Sequence, residues 1–308
     1  MELEVSVVVE SFTHGEGSGL DRVELALRAA TEMVEANGNG EVLVADSSGD
    51  AALAQLLGRE FPAVRRVDAL GYGYDEAKLK SAHEARGRFV VYLDGDCIPD
   101  PGWLDHHLDA LRAGAPATGG FTRYDGDFMG AVESVLDFGF LLPAESRPLG
   151  CYASNNAGFR RRLLLENPYP DGPMRCRCYA HAQLLQRRGM PVQMVPDARV
   201  RHERQPLFRE RYRQGYDAVA ACWTDPTLPE SSLARGGVLA APAFYCRAVA
   251  YDWRRIRAGR RDLGLSGWRA VGATVLAPAL RLVDLAGMVR ALAPGGRASG
   301  RGLSTPAS

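Results

Sequence analysis

The 308-residue chain predicts an α/β protein built on a mostly parallel sheet. Two observations carry the prediction. In the first hundred residues, short apolar runs at 5–9, 41–45, 64–68 and 89–93 alternate with segments of helical spacing at 20–35, 51–61 and 75–86. The runs also end in acids: Glu10 after the first, Asp46 after the second, and Asp94 and Asp96 after the fourth. Short links between strands and helices favour parallel pairing, and ligands of such sheets sit beyond the carboxyl ends of the strands.

Each element has its own signal. Residues 5–9 are wholly apolar and β-branched, as a strand buried on both faces requires. Leu20, Val23, Leu27, Ala30 and Val34 fall on one helical face, and the glycines at 38 and 40 stop that helix. The second strand closes on Asp46-Ser47-Ser48-Gly49-Asp50, ahead of the helix at 51–61. Further on, the spacing predicts helices at 103–112, 130–140 and 179–188. Strands are expected near 119–121, 151–159, 192–195 and 198–200. An α/β domain is expected over 1–225, an apolar and basic helical extension over 226–293, and a Gly/Ser/Pro-rich disordered tail over 294–308.

Hydrophobic residues make up 46% and charged residues 24%, which suits a globular protein rather than a disordered one. The net charge is zero but unevenly placed: residues 1–100 hold 19 acids and 9 bases, residues 201–308 hold 17 bases and 8 acids. That asymmetry points to a phosphate-rich ligand or an anionic surface. The six cysteines, at 97, 151, 176, 178, 222 and 246, lack the spacing of a zinc site and read as reduced thiols in a cytoplasmic protein. The opening MELEVSVVVE reads as a strand and not a signal peptide. No zinc finger, P-loop or aromatic RNA-binding run is present, so no nucleic-acid partner is expected.

The most informative stretch is FVVYLDGDCIPDPGWL, residues 89–104. A buried strand ends in Asp94-Gly95-Asp96. Two carboxylates so close repel each other unless a cation neutralises them. A hard divalent ion does this, taking one or two protein carboxylates and filling its other positions with water and phosphate oxygens. Such a site holds a diphosphate through Mn²⁺ or Mg²⁺. His202, directly after the last expected strand, is a candidate third ligand, and an imidazole favours Mn²⁺.

These motifs resemble the family-2 glycosyltransferases of GT-A fold over roughly residues 3–220. VSVVVESF is similar to the family's first strand, and VLVADSSGD to its second strand and aspartate turn. GYGYDEAKLKSAHEARGRFVVYLDGDCIPDPGWL resembles its Gly-rich loop, helix start and D-x-D motif. SNNAGFRR resembles the strand flanking the acceptor, and PDARVRHE the strand with the trailing histidine. The resemblance implies a GT-A-type Rossmann-like sheet with flanking helices and a C-terminal helical extension. It implies metal ligation by Asp94, Asp96 and His202. It implies contact with a UDP- or GDP-type nucleotide sugar by Glu10, Asp46, Lys78, Asp94 and Gly95, with Arg209 and Arg213 as candidates for the diphosphate. Asn155 and Asn156 fall on the acceptor side.

Two departures stand out. Leu79 occupies a position where the family has Asn. Arg177-Cys178 stands where inverting members carry a Glu-Asp pair whose Asp is the general base. His181 and Asp171 are the candidate substitutes, and an acceptor that is already anionic would need none.

In the last third, residues 236–251 and 270–292 are apolar but carry Arg247, Arg281, Asp284 and Arg290, so neither reads as a membrane span. Between them lies WRRIRAGRR. Apolar helices flanking a basic cluster suit peripheral attachment to the inner face of the cell membrane. The expected function is transfer of a sugar to an acceptor, on a lipid or cell-envelope precursor. The alternative is a weakly catalytic relative that binds nucleotide sugar or scaffolds a membrane complex. A nucleotidyltransferase would open with a basic glycine-rich loop, whereas HGEGSG is acidic.

Overall fold

The computed structural model describes residues 3–11, 19–170, 177–222 and 230–293. The expected alternation is present: β1 (Leu3–Glu10), α1 (Leu20–Asn37), β2 (Gly40–Asp46), α2 (Ala51–Glu60), β3 (Arg65–Asp68), α3 (Tyr74–Glu84) and β4 (Gly87–Asp94). The local reasons are plain. Val5, Val7, Val8 and Val9 are all fully buried, so β1 is covered on both faces. α1 buries Val23, Ala26, Leu27, Ala30 and Val34 and stops at Gly38, whose φ of 74° suits glycine. α2 starts where the Asp50 carboxylate accepts the Ala52 N–H.

β5 (Cys97–Pro99), α4 (Trp103–Arg112), β6 (Ala117–Tyr124), α5 (Phe128–Phe138), β7 (Pro148–Leu149), β8 (Asn156–Arg160), α6 (Arg161–Glu166), α7 (Arg177–Arg187) and β9 (Val192–His202) follow. The sheet order is β3-β2-β1-β4-β8-β6-β9-β5, with β7 also on β9. β1, β2, β3 and β4 pair in parallel, and β8 joins β4 antiparallel. The two short strands expected at 192–195 and 198–200 are one strand, β9. It pairs with β7 at Val192 and Gln193 and with β5 from Val200 to His202. Pro196 falls between these pairings, where its missing N–H costs no bond to either strand.

Two compact units emerge. Among the described residues, one comprises 3–11, 19–123, 144–170 and 178–203; the other comprises 124–143, 177, 204–222 and 230–293. In the second unit α8 (Leu207–Cys222) groups with α9 (Ser231–Gly236), α10 (Ala241–Gly259) and α11 (Trp268–Leu292). Glycine explains why. A Cβ at Gly215 of α8 would sit 1.9 Å from the Asp284 carbonyl oxygen, and one at Gly287 of α11 would sit 2.1 Å from that of Tyr212. The two helix backbones touch.

The same unit buries an ion network. Arg211 pairs with Asp137 and Asp284, and Arg281 reaches Asp252 at 2.7 Å and Asp284 at 2.8 Å. Of the charges that interrupt the apolar 270–292 segment, Arg281 and Asp284 are thus paired inside the helical unit, whereas Arg290 is exposed. No described helix is long and apolar enough to cross a membrane.

Candidate active site

The acids converge as the strand ends require. In the register of β1 and β4, Glu10 lies opposite Asp94, and in that of β2 and β3, Asp46 lies opposite Asp68. The chain then turns at Gly95, whose N–H donates to the Glu10 carbonyl at 2.8 Å. A Cβ there would meet that oxygen and Val23 Cγ2, each at 3.0 Å, so glycine is what lets Asp94 and Asp96 flank one point. β5 follows at once and pairs antiparallel with β9, setting Cys97 opposite His202. Asp96 and His202, 106 positions apart in the chain, are brought together by that register.

The two aspartates have different surroundings. Asp94 is held inside the rim. Its Oδ1 accepts from Lys78 Nζ at 2.7 Å and its Oδ2 from the Tyr74 hydroxyl at 2.6 Å. Lys78 is fully buried and also donates to Tyr74 Oη at 2.5 Å and the Ser154 carbonyl at 2.8 Å. Burial, then the Asp94 and Glu10 charges, push the Tyr74 phenol up, so it keeps the proton it donates. Lys78, expected beside phosphate, instead neutralises Asp94.

Asp96 is 1% exposed, and its Oδ2 has no hydrogen-bond partner. That oxygen lies 3.4 Å from His202 Nε2. His202 Nδ1 is 2.7 Å from the Glu203 carbonyl, which can only accept, so Nδ1 carries a proton and a neutral ring has its lone pair on Nε2. Burial raises the Asp96 carboxyl, His202 lowers it and Asp94 raises it. Asp96, Cys97 and His202 offer donor atoms within 4.8 Å of one another. Burial and the neighbouring carboxylates raise the Cys97 thiol, so it stays protonated and donates to Asp96 Oδ1 at 3.6 Å. The remaining donors, one carboxylate oxygen and one imidazole nitrogen, suit a divalent ion. Asp94 is not in this set; its two oxygens accept from Lys78 and Tyr74.

Asp46 is fully buried. Its Oδ1 accepts from the N–H groups of Ser48 and Gly49 and from the hydroxyls of Ser48 and Ser11, and its Oδ2 from Arg66 at 2.8 Å. Glu10, also fully buried, accepts from the Ser47 hydroxyl at 3.2 Å.

Several expected residues serve the core instead. Asn156, expected toward an acceptor, donates to the Ala198 carbonyl and accepts from Trp103 Nε1 and His107. Asn155 is nearly buried and accepts from the Thr122 hydroxyl at 2.9 Å. His181, the candidate base, is fully buried. Its Nδ1 meets the Tyr152 hydroxyl at 2.6 Å and its Nε2 the Asn167 carbonyl at 2.8 Å. Burial lowers it to about 4, and with both nitrogens taken it has no reach toward an acceptor. Asp171, the other candidate, lies outside the described residues. Arg209 and Arg213 are exposed on α8 of the helical unit, and Arg213 pairs with Glu210 at 3.1 Å. Tyr74, Cys97 and the Glu203 carbonyl were not anticipated. Tyr74 was readable, one helical turn before Lys78; the Glu203 contact depends on strand register and was not.

Residues 14–166 match the family model described as glycosyl transferase family 2. The match ends before β9, so His202 lies beyond it. No curated protein matches the chain. Among solved structures, the mannosyltransferase PcManGT from Pyrobaculum calidifontis in complex with GDP-Man and Mn²⁺ is similar with a TM-score of 0.55. It is 16% identical, with 99% of this chain and 89% of that one covered. GalNAc-T7 with UDP, GalNAc and Mn²⁺ is similar with a TM-score of 0.50 at 14% identity, covering 66% of this chain and 44% of that one. This chain thus spans less than half the length of the GalNAc-T7 chain. At these identities the likeness is one of fold, and the fold is GT-A. Over residues 14–166, which include β2 to β4 and the Asp94-Gly95-Asp96 tip, the chain belongs to glycosyl transferase family 2.

Proposed function

We propose that the chain is a metal-dependent glycosyltransferase that moves a sugar from a nucleotide-diphosphate donor of UDP or GDP type to an anionic acceptor. The observation that carries this reading is Asp96 Oδ2, buried and without a hydrogen bond, 3.4 Å from His202 Nε2. A Mn²⁺ or Mg²⁺ ion would take that oxygen and, from a neutral ring, His202 Nε2 as ligands. When bound, the ion neutralises the diphosphate and stabilises the charge on the departing group. Asp96 and His202 would hold it. Asp94, fixed by Lys78 and Tyr74, keeps unused lone pairs at the rim for the donor's ribose. Glu10 and Asp46 would border the nucleoside. The Mn²⁺ in the two similar structures supports the choice of metal.

What α7 lacks supports one reading of the acceptor class. Its first turn carries no acid, and His181 is sealed in the core. A hydroxyl nucleophile needs a base within hydrogen-bond reach. A phosphate oxygen does not. We therefore read the acceptor as a phosphate, on a lipid or cell-envelope precursor. The helical unit supports a membrane location. Trp268, Val271, Val275 and Leu282 are exposed at spacings that place them on one face of α11. Arg254, Arg257, Arg260 and Arg261 are exposed on and just after α10. That combination suits the inner face of an anionic membrane.

The test is nucleotide release from UDP- and GDP-hexoses with Mn²⁺, with and without phospholipid-phosphate acceptors. Turnover in the wild type and none in Asp96→Ala is the expected result. A second reading, a nucleotide-sugar-binding scaffold, is favoured by the acid-free α7 alone; metal-dependent nucleotide binding without release from any donor would establish it instead.

A further inference from the structure

At the amino end of β4, away from the acid rim, the sheet unit holds a cavity of about 700 Å³. Its charged lining is Arg88, Arg160, Arg161, Arg162 and Arg188 against one acid, Glu166. Glu166 is already paired, accepting from Arg162 Nε at 2.7 Å. Four arginines are left without a carboxylate in the lining.

Their guanidinium groups are positioned by the backbone. Arg160 donates Nε to the Ala115 carbonyl at 3.1 Å and Nη2 to that of Leu111 at 2.8 Å. Arg161 donates Nε to the Ala82 carbonyl at 2.8 Å and Nη2 to that of His83 at 3.0 Å. Arg188 donates Nη1 to the Asn167 side chain. These bonds fix the planes of three arginines and leave the Nη1 groups of Arg160 and Arg161 and the Nη2 group of Arg188 without a protein acceptor among the described residues. Clustered like charges repel, and nothing in the lining compensates them. A fixed set of planar donors around a concave space matches phosphate oxygens. The volume lies in the range of small-molecule sites rather than of a flat surface contact.

We propose that this cavity is a second binding site, for a soluble anion bearing two or more phosphate groups. It is separate from the donor site. Gly87 and Asp94 are the two ends of β4, which puts the cavity about 23 Å from the acid rim at the usual rise per residue.

Calorimetric titration of the full chain tests this with inorganic tripolyphosphate and, separately, ADP, both in EDTA. EDTA removes metal-dependent binding at the donor site. The expected result is binding of at least one anion that persists in Asp96→Ala and weakens tenfold or more in Arg88→Glu/Arg162→Glu. Both replaced side chains are exposed, and Arg88→Glu alone provides the same test should the pair fail to fold. Tighter ADP binding would identify an organic phosphate as the occupant, tighter tripolyphosphate binding an inorganic one. Binding of neither, or binding lost in Asp96→Ala and kept in the arginine variants, would overturn the proposal.

Discussion

Lys78 and Asp94 form a buried charge pair at the acid rim. Both side chains are almost wholly buried, and each depends on the other. Removing one partner of such a pair costs about 3–5 kcal/mol, because the other charge stays buried. Lys78→Met is expected to lower stability by that order in urea unfolding; an unchanged midpoint would contradict the pairing. The buried histidines make a second residue-scale prediction. Burial lowers His107 and His181 to about 4. In the unfolded chain a histidine titrates at about 6.5. Between these values the unfolded state binds more protons, so the stability held above about pH 6.5 is lost as pH falls toward 4, by up to about 3 kcal/mol for each ring. Melting measured from pH 7 to pH 4 should fall over that window, and His181→Phe, less stable at pH 7, should show a flatter slope.

At the scale of elements, the contrast between the two halves of the chain explains what could be read in advance. β1 to β4 were legible because each apolar run is followed by its own helix and terminator, all local signals. The Asp-Gly-Asp tip was legible for the same reason. β5 has three residues and no pattern of its own. β9 holds a proline and takes different partners along its length, so its continuity depends on strands distant in sequence. His202 was anticipated by resemblance, but its approach to Asp96 rests on the β5–β9 register. Asn156 and His181, expected toward the acceptor, are polar groups whose partners come from distant strands and loops, and spacing alone gives no sign that those partners exist. The α8–α11 contact was likewise hidden, since Gly215 and Gly287 look like weak points in helices. Gly215→Ala tests it. Alanine in a helix interior normally gains about 1 kcal/mol over glycine. Here the clash with the Asp284 carbonyl should reverse the sign and destabilise by about 1–3 kcal/mol. A more stable Gly215→Ala protein in urea unfolding would refute close backbone packing.

At the scale of the molecule, the uneven charge of the sequence resolves into separate uses. Acids of the first hundred residues build the rim. Of the C-terminal bases, buried Arg211 and half-buried Arg281 are held in ion pairs, whereas Arg254, Arg257, Arg260 and Arg261 face solvent. If the exposed set meets a membrane, the chain should sediment with phosphatidylglycerol vesicles at low salt and be released as salt rises, each arginine contributing about 1 kcal/mol. Arg254→Glu/Arg257→Glu should abolish sedimentation, and equal partition onto neutral vesicles would contradict an electrostatic anchor. The central claim concerns the rim: Asp94-Gly95-Asp96 ends β4 so that one carboxylate is fixed by Lys78 and Tyr74 while the other faces His202 across a gap suited to a metal. Calorimetric titration with UDP and GDP, in Mn²⁺ and in EDTA, measures this most directly. The account predicts binding of at least one nucleotide that requires Mn²⁺, disappears in Asp96→Ala and weakens at least tenfold in His202→Ala. Nucleotide binding of equal strength in EDTA, or unaltered in both variants, would contradict it.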